Sequence, residues 1–195
     1  MMHNFAIALR QAQARIRRQI AATGRDDSGA TAVEFALVGL PFLMMLFGIL
    51  GVGLFFFTTF SLENAVEQAA RPIRTGEAQT AGLTRDQFKA DVCSRLPVST
   101  DCDGKLRVNV QSFNVGQAIT TPACLDGGGA LVPPASQLYA PGTASQIVLV
   151  TTCLKWSLAG DIPFIKLGTF ADGSALIQAA TTFKTEPFVT TAPGK

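Results

Sequence analysis

The chain has 195 residues, 48% of them hydrophobic and 15% charged, with a formal net charge of +2. That length leaves room for one domain plus appendages, and the composition is more apolar and less charged than that of an ordinary soluble domain. The single histidine, His3, stands at the N-terminus, so a Ser-His-Asp or Cys-His centre in the rest of the chain is excluded.

The charge is unevenly placed. Arg10, Arg15, Arg17, Arg18 and Arg25 all precede the first acid, Asp26, whereas the part after Leu62 holds eleven Lys/Arg against eleven Asp/Glu. Residues 4–24 read as a short amphipathic basic helix, with Phe5, Leu9 and Ile16 on one side, and "TGRDDSG" at 23–29 breaks it. From Phe35 to Leu62 there are 28 consecutive positions without a charge. As a helix that run reaches roughly 42 Å at about 1.5 Å per residue, against a hydrocarbon core of ~30 Å, so it can span a bilayer and protrude. Basic residues beside a span stay cytoplasmic, which puts the N-terminus inside and residues from about 63 onward outside. Nucleic-acid binding by the arginines would need a folded basic surface that this short stretch does not supply. Pro41 removes one helical hydrogen bond, which membrane helices tolerate. Gly48, Gly51 and Gly53 permit close approach of neighbouring helices.

Past Phe60 the pattern turns amphipathic, with Leu62, Val66, Ala69, Ala70 and Ile73 at helical spacing and Glu63, Glu67 and Arg71 between them, ending near Gly76. "TRDQFKADVCSRLP" (84–97) predicts a second, short helix. Thr84 and Gln87 form its capping box, Phe88, Val92 and Leu96 its buried stripe, and Pro97 its stop. "KLRVNVQ" (105–111) alternates as a strand, with Leu106, Val108 and Val110 on one face. The parity flips at Phe113 and Val115, which predicts a bulge or a strand end near Ser112. "IVLVTTCLKW" (147–156) is apolar on both faces at its start, as a covered central strand would be. "ALIQAATTFKTE" (175–186) alternates again, with Ala175, Ile177, Ala179 and Phe183 facing in. The Gly/Pro-rich "TTPACLDGGGALVPPASQLYAPG" reads as an ordered surface loop tied down by Cys124. The fold class expected is α+β: a long N-terminal transmembrane helix continuing into a small extracytoplasmic domain, with a short helix, about three antiparallel strands and two disulfides.

Cys93, Cys102, Cys124 and Cys153 all lie on the outer side. An even count without Cys-x-x-Cys pairs fits structural disulfides in an oxidising compartment rather than zinc or redox sites. Three pairings are possible. Cys93–Cys102 with Cys124–Cys153 is favoured, because the first staples the short helix to the turn before "LRVNV" and the second pins the loop to the central strand. "TDCDG" (100–104) offers Asp101 and Asp103 but lacks the further ligands of a calcium loop, so a tight turn is expected there. "VPPAS" reads as a stiff corner, and "DGGGA" lacks the lysine and the strand–helix context of a phosphate loop. No metal site, cofactor, catalytic residue or small-molecule substrate is indicated.

Glu34 is the anomaly, a carboxylate at the start of a lipid-grade helix, where it is costly without a partner or a purpose. It follows Gly29 by five positions in "G-ATAVEF", after a basic leader and directly before the apolar run. This resembles the processing site of type IV prepilins and pseudopilins. Within that class "GATAVEFALVGLPFLMMLFGILGVG" looks like the TadE-like family, minor pseudopilins of the tight-adherence (Flp) pilus system. The residues that carry the likeness are Gly29, Ala32, Val33, Glu34, Phe35, Ala36, Leu37 and Pro41. It covers about residues 25–60; TadG-like proteins share the helix pattern but usually carry a longer outer part.

The resemblance implies cleavage after Gly29 by a membrane aspartic prepilin peptidase on the cytoplasmic face, and a role for Glu34 in assembly beside Phe35. Cutting there creates an α-ammonium on Ala30 next to lipid, which a carboxylate one helical turn along, on the same or a neighbouring subunit, can neutralise. The organisation expected is a basic cytoplasmic leader (1–29), a transmembrane helix (30–60) and an extracytoplasmic domain (61–195). Read together, the residues and the resemblance predict a single-pass inner-membrane minor pseudopilin with its C-terminal domain periplasmic, a structural protein rather than an enzyme. Its expected partners are the prepilin peptidase, other Tad-system pilins and assembly proteins, and membrane lipid. The alternative is an uncleaved membrane-anchored periplasmic binding module; a periplasmic enzyme has no specific residue behind it.

Overall fold

Ala30–Thr75 forms one helix of 46 residues, α1, in the computed structural model, which describes residues 29–96, 102–161 and 168–189. The leader with its helix at 4–24, the break before Gly29, His3, Pro97, Asp101 and the side chain of Asp103 lie outside the described residues. Helix α1 runs through Pro41, which lacks the N–H that would bond the Leu37 carbonyl. Thr58 and Thr59 turn their hydroxyls back to the carbonyls of Leu54 and Phe55, at 2.8 and 2.9 Å, so neither is left unpaired on an apolar helix. The chain divides into two units, residues 1–46 and 47–195. The described part of the first is the apolar start of α1, with nearly every side chain exposed.

In the second unit α1 changes character at Leu62. Leu62, Ala65, Val66, Ala69, Ala70 and Ile73 are buried, three and four residues apart on one stripe, while Glu63, Glu67 and Arg71 stay exposed. The helix ends at Gly76, whose φ of +86° is a left-handed conformation that favours glycine. Two short helices follow, α2 (Glu77–Ala81) and α3 (Arg85–Ser94). The capping box at the start of α3 is complete: the Gln87 N–H donates to the Thr84 hydroxyl and the Thr84 N–H to the Gln87 side chain. Phe88 and Val92 are fully buried. The helix stops at Ser94 with Arg95 as its C-cap, ahead of Pro97, so Leu96 packs against the core from outside the helix.

Three antiparallel strands, β1 (Leu106–Phe113), β2 (Ile147–Trp156) and β3 (Ala175–Lys184), form one sheet in the order β1-β2-β3. Leu106, Val108 and Val110, with Val148, Val150, Leu154 and Trp156 of β2 and Ala175, Ile177 and Ala179 of β3, turn to the helices and form the core with the α1 stripe. Phe55 meets Trp156 edge-on at 5.7 Å, and the Arg74 guanidinium lies 5.4 Å over the Phe183 ring. Trp156 pairs with Ala175 at one end of the sheet and Phe183 with Val148 near the other, so this stretch of α1 runs along β3 in the same direction. The domain core thus reaches back along α1 to Phe55.

No bulge interrupts β1. Its pairing with β2 is continuous from Leu106↔Leu154 to Phe113↔Ile147, and the strand ends at Phe113. Phe113 is buried on the second face of the sheet, with Asn109, Leu149, Thr151 and Cys153, and the loop of residues 114–146 is tied to that face by Cys124–Cys153 and by the Arg107 bond to the Val132 carbonyl. That cover explains why β2 is apolar on both faces. A one-turn helix, α4 (Cys102–Lys105), stands where a tight turn was expected. Disulfides join Cys93 to Cys102 and Cys124 to Cys153, the pairing the sequence favours, with Cα separations of 5.9 and 5.7 Å. Within the loop "DGGGA" is a small turn, in which the Asp126 carboxylate accepts from the N–H groups of Gly128 and Ala130 at 2.9 Å. "VPPAS" contains a 3-10 turn at Pro134–Ser136.

Candidate functional site: the start of the apolar helix

Gly29 is exposed and stands directly before α1. A side chain there would meet nothing within 4 Å, and the backbone is not left-handed, so no described feature of the fold calls for glycine. Gly76 is the contrast, since a methyl group on it would overlap the ring of Phe188.

Ala30 and Glu34 are both exposed and lie four residues apart, hence on one face of the helix. The Glu34 carboxylate has no ion-pair partner among the described residues. Phe35 is 79% exposed, its ring lying along the helix toward Gly39, where an added Cβ would sit 3.6 Å from it. Val33, Leu37, Val38, Leu40, Phe42 and Met45 are each more than half exposed, and exposed apolar residues continue to Phe60. A helix apolar all round, outside any protein core, suits a lipid or helix-lined surrounding rather than water. It is long and apolar enough to cross a membrane. From Ala30 to Gly51 alone, 22 residues at about 1.5 Å each give roughly 33 Å, sufficient for the hydrocarbon layer before Phe55 joins the domain core.

The domain carries few features that suggest chemistry. An open polar hollow of about 340 Å³ is lined by Asn64, Glu67, Gln68, Arg71, Arg74, Thr75 and Glu186, groups suited to binding rather than to nucleophilic attack. Asp172 accepts from Lys155 at 2.6 Å and from Ser174, which together hold its carboxyl well below the usual range. Burial pushes the Tyr139 phenol up and the Arg107 guanidinium down. Among the described residues no group of three or more His, Cys, Asp or Glu side chains could hold a metal ion.

Residues 29–71 match the TadE-like protein family, and the matched segment contains Gly29, Glu34 and Phe35, runs through the apolar helix and ends at Arg71. No protein of curated function and no solved structure matches the chain. The match joins a Tad pilus-related family to a helix able to anchor the protein by a single pass. The match ends at Arg71, ahead of α2, α3 and the sheet.

Proposed function

Starting from a chain whose residues 29–71 are TadE-like, we propose that it is a minor pseudopilin of a tight-adherence type IV pilus, cut after Gly29 by a prepilin peptidase. On this reading the mature protein begins at Ala30 and sits in the inner membrane, with its C-terminal domain in the periplasm. It works as a structural partner of other Tad-system pilins and assembly proteins. The observation that carries the proposal is Gly29 itself: neither space nor backbone angle among the described residues requires glycine there. A peptidase that must pass the backbone through a narrow cleft would require it. The cut removes the arginine-rich leader and leaves the apolar helix on the mature protein. An ordinary secretory signal, cut after a shorter apolar stretch, would lose that stretch.

Cleavage would place the new Ala30 ammonium one helical turn from the Glu34 carboxylate, on the same face. In the low-dielectric edge of the bilayer an unpaired charge of either kind is costly, so the pair would form within the subunit or between neighbours. N-terminal sequencing of the protein extracted from membranes tests the proposal. Ala30 as first residue, and loss of that species in Gly29→Leu, is the expected result. An intact leader at Met1 would instead make the protein an uncleaved anchor for a periplasmic binding domain.

A further inference from the structure

The sheet has two outer edges, and among the described residues only one is closed. Along β1 the chain covers its own edge. The Val108 N–H donates to the Gln137 side chain at 2.9 Å, the Val110 N–H to the Leu138 carbonyl at 3.0 Å, and the Ala140 N–H to the Val110 carbonyl at 2.8 Å. Leu138 N–H in turn donates to the Asn109 side chain at 2.7 Å.

Along β3 the described residues place nothing comparable. The Thr185 N–H donates to the Gln146 carbonyl at 2.9 Å, one step beyond the Ile147↔Lys184 pair, so the odd residues of β3 turn their backbone groups toward β2. The Thr152 hydroxyl bond to the Ala179 carbonyl, 3.2 Å, agrees with this phase. So does the Leu176 N–H, which points the other way to the Thr169 hydroxyl at 3.3 Å. The N–H and C=O groups of Gln178, Ala180 and Thr182 therefore face outward, and they have no partner among the described residues. A free edge is usually guarded by proline, a bulge, an inward charge or a short strand. Strand β3 is ten residues long, pairs in unbroken register, contains no proline or glycine, and has its only charge at its last residue, Lys184.

We propose that the outer edge of β3 takes a strand from a different polypeptide, an extended, uncharged segment of about five residues that extends the sheet by backbone hydrogen bonds. The alternation of β3 sets its side chains. Those beside Ile177 and Phe183, on the helix side, would be apolar; those beside Gln178, Ala180 and Thr182 would be small or polar.

A second copy does not fit. Two β3 edges could pair antiparallel about Ala180, but the two-fold axis of such a pair stands perpendicular to the sheet. It would reverse α1, which runs along β3 between Phe55 and Arg74. Two copies anchored in one membrane by that helix would then point opposite ways. The β1 edge of a neighbour is closed by its own loop. The exclusion of a second copy rests on the membrane-anchored reading of α1; the open edge does not.

The test uses the full chain in detergent and residue-resolved amide hydrogen exchange. The probe is a synthetic peptide with the sequence of residues 175–184, which carries no helix and so is free of the orientation constraint. With saturating peptide, exchange at Gln178, Ala180 and Thr182 is expected to slow at least tenfold, while Ala179 and Thr181, whose backbone groups already face β2, stay unchanged. Ala180→Pro removes an outward donor without removing a bond to β2 and is expected to abolish the effect. The same peptide N-methylated at every amide gives the matching control on the unaltered chain, so the test survives if the proline variant fails to fold. No slowing, or equal slowing with the N-methylated peptide, would overturn the proposal. So would a peptide-free chain that runs as a dimer with these three amides already protected, because a second copy would then hold the edge. None of these readouts depends on whether Gly29 is cut.

Discussion

Gly76 is a position where one methyl group should cost the domain heavily. It joins α1 to α2 at a φ of +86°, and a Cβ there would overlap the ring of Phe188. The residue cannot swing away freely, because its carbonyl accepts from both the N–H and the hydroxyl of Thr80, at 3.1 and 3.0 Å. Gly76→Ala therefore carries two separable costs. A left-handed conformation costs an alanine roughly 1–2 kcal/mol, and overpacking against a part-buried ring adds roughly 1–3 kcal/mol. Together that is roughly 2–5 kcal/mol, a fall in Tm of roughly 5–20 °C for a domain of this size. Trp156 is the sole tryptophan and is buried in the core beside Phe55, so its fluorescence follows unfolding directly. A double-mutant cycle separates the terms: in a Phe188→Ala background the ring is gone and Gly76→Ala should cost only the backbone share, about 1–2 kcal/mol. If the substitution costs the same in both backgrounds, Phe188 does not press on Gly76 and the packing account is wrong.

Removing Cys124–Cys153, with 29 residues of separation, should destabilise the domain by ~3.6 kcal/mol in the chain-entropy account, and removing Cys93–Cys102, with 9, by ~2.6 kcal/mol; denaturant midpoints of the two double-serine variants should fall in that order. The folded-state pKa of Asp172 lies below its ordinary value because of Lys155 and Ser174. Its contribution is therefore complete above the ordinary carboxylate range, at about pH 4, and is lost as the pH falls through that range toward the lower folded value. Asp172→Asn should flatten this acid limb, read from Trp156 fluorescence midpoints between pH 7 and 3. Glu34→Gln should leave insertion and cleavage intact but reduce pilus formation and co-purification with other pilins at normal protein level, since breaking a buried charge pair from one side costs about 3–5 kcal/mol; wild-type piliation would remove the pairing from the proposal.

The elements legible in the sequence were those whose patterns come from burial on one face. The Leu62–Ile73 stripe, the Thr84–Gln87 box and the alternation in Leu106–Val110 each encode a local geometry that the rest of the fold does not override. What was not legible depends on what covers a face from a distance. Phe113 reads as a change of phase because it is buried on the opposite face of the sheet from Leu106, the face to which Cys124–Cys153 ties the loop of residues 114–146. A single strand sequence carries no mark of which face a distant loop will cover. The Cys93–Cys102 bond joins the last turn of α3 to the first residue of the one-turn α4, and four cysteines permit three pairings whatever their spacing.

The two glycines set apart what a sequence shows from what a structure adds. Both sit at a helix boundary, and on propensity alone each reads as a helix breaker. Gly76 is explained within the fold by its φ and by Phe188, so any protein with this turn would favour glycine there. At Gly29 the described structure is silent: open space, no left-handed backbone, no described neighbour. A glycine with no described structural reason, one residue ahead of an exposed apolar helix and five ahead of a lone carboxylate, calls for an explanation from outside the fold. On the proposed reading, an enzyme that reads the backbone at that point supplies one, and it gives a purpose to the five arginines among residues 1–25.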